Sequence, residues 1–294
     1  MAYLRHRLTE ANGSNDIVHN PTYFVRTEED GGHDSYDGVE ANKPLATIQC
    51  AVDKVKDEID TNGFAPVIRI HDGLHMGWQD YGPNVGRHKR GGGPTIFMGN
   101  PVNPSAVKIF RAMGVAPISY DGFAQGVFIG MEVIGNKSQA IYATGCSVIE
   151  CGFVRVSGPI GFLADSGAKI LGTSNLHFKG SMVYGGMGNK AGLFECVPGI
   201  HIFFEGSTFS EHFLFGTNHG MCIVPYHFLN PVYNEKGEVI SGTQNPAGGV
   251  TFHGSFTGSK GFASLQAIIN SGYMTYNLFP GTIDCDTNKG GQLN

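Results

Sequence analysis

The chain has 294 residues, a net charge of −5 at neutral pH and a charged-residue share of 15%, well below the roughly 25% usual for soluble domains. That balance excludes the basic surface on which general nucleic-acid binding rests, and the length suits one large all-β domain or two smaller ones. Its 44 glycines and 41% hydrophobic content predict many tight turns between short apolar strands.

Residues 1–21 are polar and irregular and read as an arm that either stays mobile or docks on a neighbouring protein and orders there. Met1–Glu10 lacks the apolar core of a signal peptide, and no stretch reads as a membrane span. A short strand is expected at Tyr23–Arg26, followed by a turn-rich run from Asp30 to Gly38. The aspartates of that run suit either Asx turns or calcium, although the spacing is not that of an EF-hand. Residues 44–60 carry the one clear helix: Leu45, Ile48, Val52, Val55 and Ile59 recur at three- and four-residue steps. Pro44 suits its first turn and Asn62-Gly63 its end. A single apolar stripe predicts one buried face, as on a helix that caps a larger body.

Strands are expected at Val67–Ile70, Thr95–Met98 and Val107–Phe110, and from Gly126 to about residue 210 strands alternate with glycine corners. Three segments align: Ile141–Val148, Phe162–Ile170 and Leu193–Ile202, each with a glycine three residues before a β-branched residue. Second strands follow near Val154, Leu176 and Phe209, and the longer last step implies an insertion at Gly185–Lys190. A repeat of about 20 residues with short strands is the mark of a solenoid, and glycine corners without a leucine-rich pattern predict a parallel β-helix.

Cys50, Cys146, Cys151, Cys196, Cys222 and Cys285 form no CxxC pair, so no structural zinc site is expected. Cysteines in strand-rich sequence read as small hydrophobes; the alternative is disulfides, with Cys285 the candidate for an intersubunit bond. The basic knot Arg87-His88-Lys89-Arg90 reads as a solvated loop. His212, His219 and His227, like His71 and His75, match no helical metal motif and read as surface residues. No G-x-S-x-G elbow, P-loop or dinucleotide fingerprint is present, so no cofactor is expected.

Several segments together resemble phage-encoded β-helix proteins of the tailspike and pectate-lyase-like kind. They are Tyr23–Arg26, Asp37-Gly38, the Thr47-Ile48-Gln49 helix opening, Val67–Gly73 and Ile96–Pro101. Gly249–Gly254, Phe262-Ala263, Ile269–Gly272, Phe279–Gly281 and Gly290–Gln292 are similar to the ending of such proteins. The resemblance implies an all-β, right-handed parallel β-helix on the virion surface, a homotrimer, with residues 1–21 as attachment arm. Residues 22–230 would form the capping helix and coil, and 231–294 a projecting loop and C-terminal β region.

Three functions follow. The first is a non-enzymatic trimeric fibre or spike on tail, collar or head that contacts a host surface glycan. Exposed aromatics suit sugar rings, and the candidates are Trp78, Tyr81, Tyr226 and Tyr233, which alternatively pack between subunits. The second is a depolymerase, which needs a carboxylate pair; the repeat alignment offers Asp165 and Glu195, with Glu150, Glu205 and Glu211 as further acids. A lyase would need an arginine base, for which Arg155 is the candidate. The third is a decoration or cement protein. The other expected partners are virion proteins bound through the arm, with no nucleic acid and no membrane span.

Overall fold

A strand of four residues with alternate burial cannot hide its apolar side alone; these strands do so by stacking in parallel. The computed structural model describes residues 22–58, 65–81, 93–112, 114–225, 228–233, 239–244, 249–270, 281–282, 286–288 and 290–293. β1 (Thr22–Val25) leads through a turn-rich segment to α1 (Ile48–Glu58). Rungs follow: β2 (Val67–Ile70), β3 (Gly73–Met76) and β4 (Trp78–Tyr81), then β5 (Thr95–Met98), β6 (Val107–Arg111) and β7 (Ile118–Asp121). β8 (Gln125–Gly135) fills two strand positions before β9 (Gln139–Ala143), as β10 (Val148–Ser157) does before β11 (Ile160–Ala164). The next rungs are β12 (Lys169–Gly172) with β13 (Leu176–Asn189), and β14 (Leu193–Cys196) with β15 (His201–Thr217). β16 (Met221–Ile223) opens a further rung. β17 (Phe228–Tyr233) and β18 (Val239–Gln244) interrupt it as a separate antiparallel hairpin. β19 (Thr251–His253), β20 (Thr257–Ala263), β21 (Ile268–Asn270), β22 (Asp286–Thr287) and β23 (Gln292–Leu293) resume the stack.

Pairing sorts these strands into three columns. The first runs β1, β2, β5, then the starts of β8 and β10, then β12, β14, β16, β21 and β23. The second runs β3, β6, the ends of β8 and β10, the starts of β13 and β15, and β19. The third runs β4, β7, β9, β11, the ends of β13 and β15, β20 and β22. The protein is therefore all-β with one long parallel sheet, compatible with a β-helix or other solenoid.

The corner between the third and first columns explains the repeat. Gly122-Phe123, Gly145-Cys146, Ser166-Gly167, Lys190-Ala191, Asn218-His219 and Leu265-Gln266 are pairs of left-handed residues, with φ between 45° and 78°. Two consecutive left-handed residues make a type I′ turn. The second amide of each turn donates to the first carbonyl of the next: Phe123 to Gly145 at 3.0 Å, Gly167 to Lys190 at 3.1 Å, His219 to Leu265 at 3.0 Å. A polar residue precedes each turn, and Asn189 bonds Asp165 at 3.1 Å while Asn218 bonds Asn189 at 2.9 Å. A small residue follows each turn because the rung below is close. A Cβ on Gly220 would lie 2.1 Å from the Gly188 carbonyl oxygen.

This register corrects the sequence alignment. Val148 pairs with Lys169, not with Ile170, so Gly145 stacks on Ser166. Gly199 belongs to another corner, between β14 and β15, and the segment read as an insertion, Gly185–Lys190, is mostly the third-column part of β13. Val154 and Leu176 do pair, whereas Phe209 pairs with Met182.

The helix begins at Ile48 rather than Pro44, because Leu45 is extended. Its amide donates to the Phe24 carbonyl and its own carbonyl accepts from Arg26, forming a parallel bridge with β1. Thr47 caps the helix, its Oγ1 accepting the Cys50 amide at 3.1 Å. Asp34 holds that start, accepting from the Ala46 and Thr47 amides at 2.9 Å and from Thr47 Oγ1 at 2.8 Å. Asp37 accepts from the Val39 amide and Asp30 from Thr27 Oγ1, so the turn aspartates serve local protein donors. Ile48, Ala51, Val52 and Val55 are buried, and α1 lies against β1, β2 and β4. Gln49 accepts the Gln79 amide at 2.9 Å and donates to the Gln79 carbonyl at 3.2 Å, satisfying the backbone of β4.

Cys151, Cys196 and Cys222 are buried in the first column, as small hydrophobes are expected to be, but Cys146 is exposed at a corner. Burial pushes the Cys151 and Cys196 thiols up, and that of Cys222 up to about 12, leaving them unreactive. Cys285, the basic knot at 87–90 and the arm at 1–21 lie outside the described residues.

Candidate functional site

Parallel register places outward side chains of one column a single rung apart, about 4.8 Å. On the second column this produces a continuous ladder: Lys108, Glu132, Arg155, His177, Phe203 and His253 are successive partners. Flat rings at that spacing stack face to face. His177 and Phe203 have centroids 4.5 Å apart and planes 11° apart; Phe203 and His253 follow at 4.3 Å and 9°.

Beside the rings stand paired charges. Glu205 takes hydrogen bonds from Arg155 and, at 2.7 Å, from His177 Nδ1. Partial burial acts to raise the Glu205 carboxyl, but the bonds and charges of Arg155 and His177 together outweigh it and hold the group below its usual range. Lys179 donates to Glu132 Oε1 at 3.1 Å. The Glu132 side chain is only 4% exposed, and its Oε2 has no hydrogen-bond partner among the described residues. At the far edge His201 Nδ1 and His253 Nε2 share a hydrogen bond of 2.7 Å. Burial lowers His253, and the charges of His201 and His177 lower it further.

A ring platform flanked by the Glu205 carboxylate and the Arg155 guanidinium suits a polyhydroxylated ligand. Hydroxyls would donate to the Glu205 carboxylate while a C–H face lies on the rings. No group of three or more His, Cys, Asp or Glu placed to hold a metal is found among the described residues.

The carboxylate pair expected from the sequence is not brought together. Asp165 precedes a type I′ turn and meets Tyr142 at 3.4 Å, Asn189 at 3.1 Å and Lys190 at 3.6 Å. Glu195 lies in the first column, paired with Lys169 at 2.9 Å. Trp78 is also corrected as a glycan contact: it is 0% exposed and stacks on Phe97 at 4.5 Å, because its strand faces the core. The side chains of Tyr81, Tyr226 and Tyr233 lie outside the described residues. Arg155, which the sequence left without an acid cluster, has Glu205 bound to it and Glu132 as its register partner. His177, His201 and His253 escaped notice, and their signal was period: Glu132, Arg155 and His177 recur at steps of 23 and 22 residues, one rung each.

No family model matches the chain, and no curated protein or solved structure matches it either. No helix among the described residues is long and apolar enough to cross a membrane.

Burial lowers His75 and His212 as well as His253. A histidine depressed in the folded state stays neutral there while the unfolded chain takes up protons below about pH 6.5. Its stabilising effect is therefore lost as pH falls below that value, toward the lower folded-state value. The urea midpoint of the full chain is expected to drop between about pH 7.5 and 5.5, and His75→Gln to reduce that drop. Equal drops in both proteins would remove His75 as a source.

Proposed function

We propose that the chain is a right-handed parallel β-helix from a bacteriophage particle: a homotrimeric, non-enzymatic fibre or spike subunit on tail, collar or head that touches a host-surface glycan. The observation that carries this reading is the rung-to-rung parallel pairing of the first column from β1 to β23, which builds a stiff rod from short repeats. In this reading α1 is the cap of the first rungs, with Gln49 closing the edge of β4, and residues 1–21 are the arm that binds other virion proteins. The Thr47-Ile48-Gln49 opening and the C-terminal motifs support the phage origin. The glycan lies on the second-column ladder, with Phe203 as platform.

A depolymerase is the second reading, favoured by Glu205 between Arg155 and His177, with Glu132 as the neighbouring carboxylate in the register of Arg155. Both are tested by incubating the full chain with a panel of bacterial envelope polysaccharides. Binding without new reducing or unsaturated ends, weakened on the order of tenfold by Phe203→Ala, supports the fibre. Chain cleavage that Glu205→Gln or Glu132→Gln abolishes replaces it with the enzyme. Failure to bind any polysaccharide, together with a mass of one 31.5 kDa chain, rejects both.

A further inference from the structure

We propose that His201 and His253 form a two-nitrogen chelate for a divalent transition-metal ion of the class that prefers imidazole: Zn²⁺, Cu²⁺ or Ni²⁺. The inference depends neither on the glycan reading nor on the oligomeric state. It starts from register. Ile202 pairs with Phe252 and both are buried, so their neighbours along the strands, His201 and Phe203 on β15 and Thr251 and His253 on β19, face outward. His201 pairs with Thr251 and Phe203 with His253, which sets the two histidines diagonally across adjacent rungs. Both are half-buried. His201 Nδ1 and His253 Nε2 face each other at 2.7 Å, and neither ring has another hydrogen-bond partner among the described residues.

In the metal-free pair one ring donates its single N–H proton to the other. When an ion takes that place, each ring carries its proton on the opposite nitrogen and turns a lone pair to the metal. The ring centroids are 5.0 Å apart. An ion about 2.0–2.1 Å from each nitrogen lies about 3.2 Å from each centroid. Two such arms span the observed 5.0 Å when they meet at about 100°, between the square-planar and tetrahedral angles. The nitrogens then open from 2.7 Å to about 3.2 Å while the centroids keep their separation. Parallel pairing fixes both strands, and His253 is held by face-to-face stacking on Phe203 at 4.3 Å, so little freedom is lost on ligation. His177 does not join: Phe203 stands between it and His253, and its Nδ1 is engaged by Glu205. Two protein nitrogens agree with the lack of any three-residue metal group among the described residues. Water fills the other positions. Calcium and magnesium, which take oxygen ligands, do not suit the pair.

The test titrates the untagged, metal-stripped full chain with Zn²⁺, Ni²⁺ and Mg²⁺ by isothermal calorimetry. Wild type is expected to bind Zn²⁺ and Ni²⁺ and not Mg²⁺. His201→Asn and His253→Asn are each expected to weaken the tightest step by at least about tenfold, the lower end of what even a change behind the ligands costs a metal site. His219→Asn, at an exposed corner histidine, is expected to leave it unchanged. If circular dichroism shows that a variant does not fold, wild type decides alone. Labelling of His201 and His253 by diethyl pyrocarbonate, mapped by mass spectrometry, is expected to fall in Zn²⁺ and not in Mg²⁺. A wild type that binds neither Zn²⁺ nor Ni²⁺, or binding that both variants keep in full, overturns the inference. Labelling of the two histidines that Zn²⁺ leaves unchanged overturns it as well.

Discussion

Lys56→Ala is expected to destabilise the protein by about 3–5 kcal/mol, because it strands a buried charge. Lys56 Nζ on α1 lies 2.8 Å from Asp80 Oδ1 on β4, with the two side chains 8% and 9% exposed. Trp78 and Tyr120, both fully buried, occupy the same end of the core, and the Asp80 charge adds to burial in raising the Tyr120 phenol. Without the ammonium, the Asp80 carboxylate stays in that apolar setting or must take up a proton, and either is costly. The pair itself is not the main source of stability. Replacing both partners with apolar residues, Lys56→Met with Asp80→Leu, is expected to cost clearly less than the single change. Urea unfolding of the single and double variants checks this. A single variant within about 1 kcal/mol of wild type would mean that α1 is not firmly seated on β4.

Phe178→Ala is expected to cost about 3–5 kcal/mol. Phe178 is 0% exposed, and its ring meets Phe162 at 5.7 Å, Phe204 at 6.0 Å, Phe209 at 6.2 Å and Phe213 at 5.2 Å. Those rings come from β11, β13 and β15, so the deletion opens a cavity at the seam between adjacent rungs. Main-chain ladders on both sides restrain the rungs from collapsing into it. Phe123, 64% exposed at a corner, supplies the control, and Phe123→Ala is expected to stay within about 0.5 kcal/mol. Equal effects of the two substitutions in a thermal or urea melt would contradict the placement of the core.

The strands and the existence of a repeat were legible in the sequence because alternate burial and corner residues leave a local trace. Val67–Ile70 and Thr95–Met98 are found as expected. The register was not legible, because glycine is only one of several residues that occupy the corner. Lys190-Ala191 and Leu265-Gln266 turn the chain as Ser166-Gly167 does, held by the rung on either side rather than by their own preference. Aligning on glycine therefore put Gly199 in the wrong column and produced the pairing of Asp165 with Glu195. The helix start was misplaced for a related reason: Pro44 is a good local signal, but the long-range bridge of Leu45 to Val25 outweighs it. Trp78 looked exposed because polar residues surround it in sequence, whereas the alternation of β4 turns its ring inward. The Arg155, His177 and Glu205 group spans three rungs and became visible only once the register was fixed.

The proposed trimeric coil is tested most directly by electron cryomicroscopy of the purified protein. The expected map shows three parallel coils around one axis, each with rungs spaced about 4.8 Å in three columns. Isolated particles of a single chain, or a map without stacked rungs, would contradict it.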